Sequence, residues 1–337
     1  MRPKKIFQLN TDLYRVTGIQ RVVMDIHEAL KEDFNPLIIG TIPFKRLHPN
    51  LNIKKTEYRR LKNPLILRHS VVIIHQRILL PFMWVLSRIP WLDIDYIYVH
   101  HNLLYGKRKL SLFPKNIIAI SDSGIKNLTE YFKVPLDNIN KIHNCVREYK
   151  YIPKERTFNP GKITILYPAG VTEVKRQLEI VDHLRGKLNP EIKIIFAGTG
   201  PLLKELKEKC RDDNQFQVLG FREDIPHLMR DSDFTMLFSK HEGLSIALIE
   251  STMTGTPIIC NNVGGNCEIV EDNVNGYIVD SWDELTDKLN SLNSLSPETV
   301  KELGVKSRNK FNTFNFKLFK KKYVDFFSSL INSGDNS

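Results

Sequence analysis

At 337 residues, with 42% hydrophobic and 26% charged positions, the chain can hold two domains with cores of their own and is neither disordered nor fibrous in composition. Four cysteines, Cys145, Cys210, Cys260 and Cys267, form no CxxC pair and no zinc-ligand spacing, which argues against a disulfide scaffold or a zinc module. The net charge of +11 is uneven: residues 1–150 hold 25 Lys and Arg against 12 Asp and Glu, whereas 151–337 hold 24 against 26. A basic half joined to a near-neutral half points to an acidic partner for the first, either nucleic acid or an anionic membrane.

In chain order, "MRPKKIFQLN" is a basic start running into a strand, without the apolar core or cleavage site of a signal peptide. A helix "IQRVVMDIHEAL" and a strand "NPLIIG" follow. Residues 59–91 interleave large apolar residues with Arg59, Arg60, Lys62, Arg68, Arg77 and Arg88. The longest charge-free stretch there, "ILLPFMWVLS", is ten residues, half of the roughly 20 needed to span a bilayer. The segment is expected to be a basic amphipathic element lying in a membrane interface, or else a buried helix pair with cationic edges. Next come two apolar strands, "IDYIYVH" and "NIIAIS", and a helix "SGIKNLTEYF". Residues 151–162, with Pro153, Pro160 and Gly161, are a linker by composition.

A second alternating series then begins at "ITILYPAG", with a helix from about 175. Strands "IKIIFAG", "FQVLG", "DFTMLF" and "PIIC" alternate with helices "PLLKELKEKC", "DIPHLMRDS" and "SIALIESTMT". Short strands alternating with helices predict parallel sheets covered on both faces. The fold class is therefore α/β: two doubly wound domains of similar size, joined near residue 155. No repeat, heptad or low-complexity tract interrupts them.

Ligands of such folds bind beyond the C-terminal strand ends. Lys175, in "YPAGVTEVKRQ", stands near a helix start, as a phosphate cation or a solvated charge. "AGTGP" turns tightly on Gly198 and Gly200, but Leu203 replaces the third glycine of a dinucleotide fingerprint, so a Rossmann oxidoreductase is poorly supported. In "HEGLS" the amides of Gly243, Leu244 and Ser245 open a helix, an anion site by geometry and dipole. That helix holds one charge, Glu250, among Ile246, Ala247, Met253 and Thr254, and an unpartnered buried carboxylate is costly. The rise from Ser245 to Glu250 is about 7.5 Å, so an anion at the helix start leaves a neighbouring sugar within reach of Glu250. Glu242, on the other side of that anion, reaches a second sugar. Carboxylates suit vicinal diols because they accept two O–H donors at once. A diphosphate between two sugars is a nucleotide-sugar.

Glu242 and Glu250, with seven residues between them and "GLS" after the first, resemble the E-x7-E motif of the retaining glycosyltransferases of family 4, which have the GT-B fold. "AGTGP", "LGFREDIPHLM", "GTPII" and "VGGNCEIVEDNVNGYIV" extend the resemblance over about residues 160–280. "TGIQRVVMDIHEAL", "YIYVHHN", "NIIAISDSGIKNLTEYF" and "KIHNCV" carry it more loosely into the first half. The resemblance implies two Rossmann-like domains facing each other across a cleft: an acceptor-binding domain at 1–152, a donor-binding domain at 160–312, and a helix at 313–337 crossing back to the first. It implies that Glu250 binds the ribose hydroxyls, Glu242 the donor hexose, and Lys175 the leaving diphosphate. The implied donor site further includes Gly18, Gly170, Gly198, Gly200, Phe221, Gly243, Leu244, Ser245 and Ile246, with Gly18 in the loop after the first strand. A histidine after "YIYVH" would touch the sugar; His100 and His101 both fit, with His100 preferred. The family arginine five residues before the lysine is absent, since Gly170 stands there, so either Arg176 or another cation would substitute, or stabilisation of the leaving group would rest more on Lys175 and the helix dipole.

The implied reaction transfers a hexose with retained configuration and needs no protein nucleophile, metal or cofactor. The triplets "DID" (93–95) and "DSD" (231–233) are expected to be structural. The donor would be a UDP-hexose, with GDP as the second candidate. The acceptor would be a glycan on a polyprenyl diphosphate or a lipopolysaccharide core, in O-antigen or capsule assembly at the cytoplasmic face of the cell membrane, held there by peripheral contact of the basic half. A nucleotide-sugar epimerase and a non-catalytic GT-B partner subunit are the alternatives. A nucleic-acid binder is disfavoured, because "RRLKNPLIL" lacks an aromatic stacking pattern and no DNA-reading motif occurs.

Overall fold

The structure is a computed structural model that describes residues 4–149 and 157–334. It divides into two compact units, residues 1–145 with 315–337, and residues 146–314. The change of unit after Cys145 comes ahead of the boundary expected at 152, and the first half of the expected linker (151–156) lies outside the described residues.

The first unit runs β1 (Lys5–Leu9), α1 (Gly18–Phe34), β2 (Leu37–Gly40), β3 (Tyr58–Arg60), β4 (Ser70–Ile74), α2 (Leu80–Leu86), β5 (Ile94–His100), β6 (Asn116–Ala119), α3 (Asp122–Lys126) and β7 (Ile139–Lys141). Its seven strands are ordered β3-β2-β1-β4-β5-β6-β7, all parallel. Central strands carry unbroken apolar runs because helices cover both faces; all five residues of β4 are buried. α1 starts on a capping box between Thr17 and Gln20 and ends at Asn35, whose φ of 44° is left-handed.

The second unit runs β8 (Ile163–Pro168), α4 (Gln177–Leu184), β9 (Ile192–Ala197), α5 (Leu203–Lys209), β10 (Phe216–Gly220), α6 (Ile225–Asp231), β11 (Phe234–Leu237), α7 (Ile246–Thr254), β12 (Ile258–Cys260), α8 (Asn266–Ile269), β13 (Gly276–Ile278), α9 (Trp282–Ser291) and α10 (Pro297–Lys310). Its six parallel strands are ordered β10-β9-β8-β11-β12-β13. The chain then returns to the first unit as α11 (Phe316–Gly334). α11 packs on α1, whose buried stripe is Val22, Val23, Ile26, Ala29 and Leu30, with Phe34 against Phe327 at 6.0 Å and an ion pair from Lys320 to Glu32.

Residues 59–91 are neither one amphipathic element nor a helix pair. β4, flanked in sequence by Arg68 and Arg77, lies at the middle of the sheet between β1 and β5, and only 80–86 is α-helical. The four apolar residues of "VVII" are too short a run to declare their period when cations flank them. β3 and β7, of three residues each, were also absent from the expected strands. Both acidic triplets are held by structural partners. Asp93 and Asp95 take Lys4 at 2.6 and 2.7 Å, Asp231 takes Arg230, and Asp233 accepts the Thr164 amide at 2.8 Å.

Candidate active site

In each sheet the strand order reverses once, between β1 and β4 and between β8 and β11, and the loops part there to leave a crevice. In the second unit the parting loops are those after β8 and β11, which carry Lys175 and Glu242. Tyr167, fully buried at the end of β8, fastens the two loops together. Its hydroxyl donates to the Lys175 carbonyl at 2.7 Å and accepts from the Phe238 amide at 3.1 Å. Burial pushes its phenol well up, so it stays a protonated donor. The Lys240 amide adds a bond to the Val174 carbonyl at 2.8 Å.

With the loops fixed in this way, the Lys175 ammonium and the Glu242 carboxylate form an ion pair, their side chains only 24% and 9% exposed. α7 begins three residues beyond Gly243. Ser245 caps it by accepting from the Leu248 amide, Leu244 and Ser245 are buried, and Ile246 is half-buried. Glu250 is buried on the same helix, at 7% exposure. Two glycines permit this assembly. A Cβ on Gly200 would stand 2.2 Å from the Val171 carbonyl oxygen, and one on Gly264, whose φ is +57°, would stand 2.1 Å from the Glu242 carbonyl oxygen. Gly198 and Gly200 therefore let the turn after β9 close onto residues 169–171, where the Val171 amide bonds the Thr199 carbonyl at 3.0 Å.

Two expectations change here. Arg176 does not stand free to replace the missing arginine: it pairs with Glu179 at 2.9 Å and lies over the Trp282 ring at 4.3 Å. Gly170 is tied instead to Gln177, whose amide donates to its carbonyl at 2.9 Å. Gly18 is the first residue of α1, not part of the preceding loop, and belongs to the other unit. Phe221 is exposed just past β10.

The first unit has its own crevice at the β1/β4 reversal. A cavity of about 370 Å³ is lined by His75, Arg77, Tyr98, His101 and Lys107 with the apolar Ile19, Ile78, Pro81, Leu104 and Leu110. His101, not the preferred His100, lines it. His100 faces Asn127, whose amide donates to the Leu104 carbonyl and whose oxygen takes both the Leu104 amide and His100 Nε2–H at 3.0 Å. That fixes His100 as the Nε2–H tautomer. His101 Nε2 meets His75 Nδ1 at 3.0 Å, and His75 Nε2 meets Gln8 Oε1 at 3.1 Å. Burial holds all three imidazoles neutral, pushing His75 down to about 3, His100 to about 4 and His101 well below its ordinary value. Tyr167, His75, Gln8 and Asn127 escaped the sequence reading: Gln8 and Tyr167 stand inside strands, His75 just past the end of β4, and Asn127 in a helical stretch of mixed polarity, none of them in a recognisable motif.

Two parallel sheets, each with a crevice at its own reversal, make this a protein of the GT-B fold. Residues 149–310, nearly all of the second unit, match the family described as Glycosyl transferases group 1. Over 138 residues the chain is 30% identical to the UDP-Gal:alpha-D-GlcNAc-diphosphoundecaprenol alpha-1,3-galactosyltransferase of Escherichia coli, covering 39% of this chain and 35% of that protein. It is 24% identical over 179 residues to the N-acetyl-alpha-D-glucosaminyl L-malate synthase of Bacillus anthracis, covering 50% and 46%. The matches thus span between a third and a half of these relatives. Anabaena Alr3699/HepE, solved in complex with UDP, superposes with a TM-score of 0.82 at 18% identity, over 96% of this chain and 100% of that one.

Proposed function

We propose that the protein is a retaining, metal-independent hexosyltransferase that moves a hexose from a UDP-sugar to a hydroxyl of a lipid-linked glycan in bacterial surface-polysaccharide assembly. The observation that carries this reading is the Lys175–Glu242 ion pair beside the start of α7, with Glu250 buried on that helix. In the free protein each charge satisfies the other. An arriving diphosphate takes Lys175 and the helix amides, releasing Glu242 to accept hexose hydroxyls, while Glu250 accepts the ribose hydroxyls. As the diphosphate leaves, Lys175 neutralises the charge that develops on it. The cavity of the first unit, with its neutral histidines and its cations, suits an amphiphilic acceptor bearing phosphate. The names of the E. coli relative, which acts on a diphosphoundecaprenol-linked sugar, and of the UDP-bound Anabaena neighbour support the donor and acceptor classes.

Two measurements test this. A panel of nucleotide-sugars is screened for hydrolysis and for transfer to a diphosphoundecaprenol-linked sugar, with one UDP-hexose expected to turn over and free isomerised donor pointing to an epimerase instead. Calorimetry with UDP is expected to give about ten-fold weaker binding for Glu250→Ala, and affinity at or above the parent's for Glu242→Ala with transfer lost. Parent-like UDP affinity in Glu250→Ala would remove the ribose role. Absence of donor binding by the parent would leave a non-catalytic partner subunit.

A further inference from the structure

The outward face of α2 is apolar. Leu80, Met83 and Leu86 face the core at helical spacing, yet the opposite side is not polar, as it is on most surface helices. It presents Phe82 and Val85, with Ile78 one turn earlier; Ile78 is 80% exposed and Val85 54%. Across the cavity mouth, in the 3-10 turn Arg108–Leu110, Leu110 is 62% exposed. These two pieces are one surface: Ile78, Pro81, Lys107 and Leu110 line the same cavity, and Arg77 donates to the Gly106 carbonyl at 2.9 Å.

The segment that carries this apolar patch is rich in cations. Between Glu57 and Asp122 the sequence holds only two acids, Asp93 and Asp95, and both are bound by Lys4. Arg88, stacked on Trp84 at 3.5 Å, and Lys107, Arg108 and Lys109 stand exposed beside the apolar side chains. Projecting apolar side chains ringed by cations match an anionic bilayer, whose headgroups take the cations and whose acyl boundary takes the side chains. A seven-residue helix inserts at the interface without crossing, and among the described residues no helix is long and apolar enough to span.

We infer that Ile78, Phe82, Val85 and Leu110, with Arg88 and Lys107–Lys109, form the face by which the first unit docks on an anionic phospholipid membrane. The cavity then opens at the bilayer surface. Docking stands by itself; only its use, admitting a lipid-linked acceptor, rests on the reading above.

The test is co-sedimentation of the full chain with vesicles containing phosphatidylglycerol, against vesicles of phosphatidylcholine alone, with no nucleotide-sugar present. The parent is expected to bind the first and not the second, and to be released by high salt. The triple variant Ile78→Ser/Phe82→Ser/Val85→Ser and the charge variant Lys107→Glu/Arg108→Glu/Lys109→Glu should each bind at least ten-fold more weakly, at about five-fold per cation near such a surface. Resistance of residues 4–145 to limited proteolysis at pH 7 serves as the folding control. Val85→Trp supplies a second measurement, with a blue-shifted emission quenched by brominated lipid expected on phosphatidylglycerol vesicles. A parent that ignores those vesicles, variants that bind like the parent, or a parent dimer that the triple serine variant dissolves would each overturn the docking. In all three cases UDP-hexose turnover still reports separately on the transfer reading.

Discussion

The two units share a topology and differ in where they hide their polarity. The second sets an ion pair at its crevice, Lys175 with Glu242, beside the buried Glu250, and fixes it through a tyrosine and close-packed glycines. The first lines its crevice with neutral imidazoles, His75 and His101 at the cavity and His100 behind them. A sheet reversal provides a crevice; what fills it decides whether the site responds to anions or to acid.

The largest expected effect follows from that difference. The three imidazoles are held below their ordinary value of about 6.5, so the unfolded chain takes up protons that the folded unit refuses. Their contribution is complete above 6.5 and is lost as pH falls from there towards 4. At pH 5 His75 and His100 each cost about 2 kcal/mol, and His101 adds to this in the same direction. Limited proteolysis at pH 7 and pH 5 should therefore show cleavage moving into residues 4–145 at the lower pH. Nicks that began in 157–314 would break the comparison.

Next is Lys175→Ala, which leaves Glu242 partly buried without its cation and removes charge from the leaving group. Transfer should fall about 100- to 1,000-fold, as for loss of one preorganised donor, in a steady-state assay with the UDP-hexose identified by the panel. Gly200→Ala places a methyl against the Val171 carbonyl and should destabilise the second unit by roughly 2–3 kcal/mol in denaturant unfolding followed by Trp282, without altering the first. The smallest is Tyr167→Phe, which removes the hydroxyl joining Lys175 to Phe238 and should cost about 1 kcal/mol by the same measurement. Its sharper readout is kcat, since the Lys175 loop loses its anchor while the lysine itself stays.

Legibility followed the same divide. In the second unit the elements from β8 to β12 could be read, because strand, turn and helix are each marked there: "DFTMLF" is buried, Gly243 turns, and Ser245 caps; α8, β13, α9 and α10 were not among the expected elements. Glu242 and Lys175 were singled out from different loops, and the fold brings them together. In the first unit β4 was lost inside a cationic segment, and the preference for His100 over His101 failed. Adjacent residues on a strand point to opposite faces, and nothing in "YIYVHH" says which face holds the cavity. The pairing of His75 with His101 is a contact between neighbouring strand ends, set by the β4–β5 register, which no local pattern encodes.

The return of the chain through α11 has a bearing on biosynthesis. The helix that covers α1 emerges from the ribosome only after residues 146–314, which at ordinary elongation rates takes roughly ten to thirty seconds. Throughout that interval the stripe from Val22 to Leu30 has no partner helix, and when it closes the domain translated second already has all of its sequence. The half that begins first is completed last, and a nascent chain stalled before Asn315 would offer that bare stripe to chaperones.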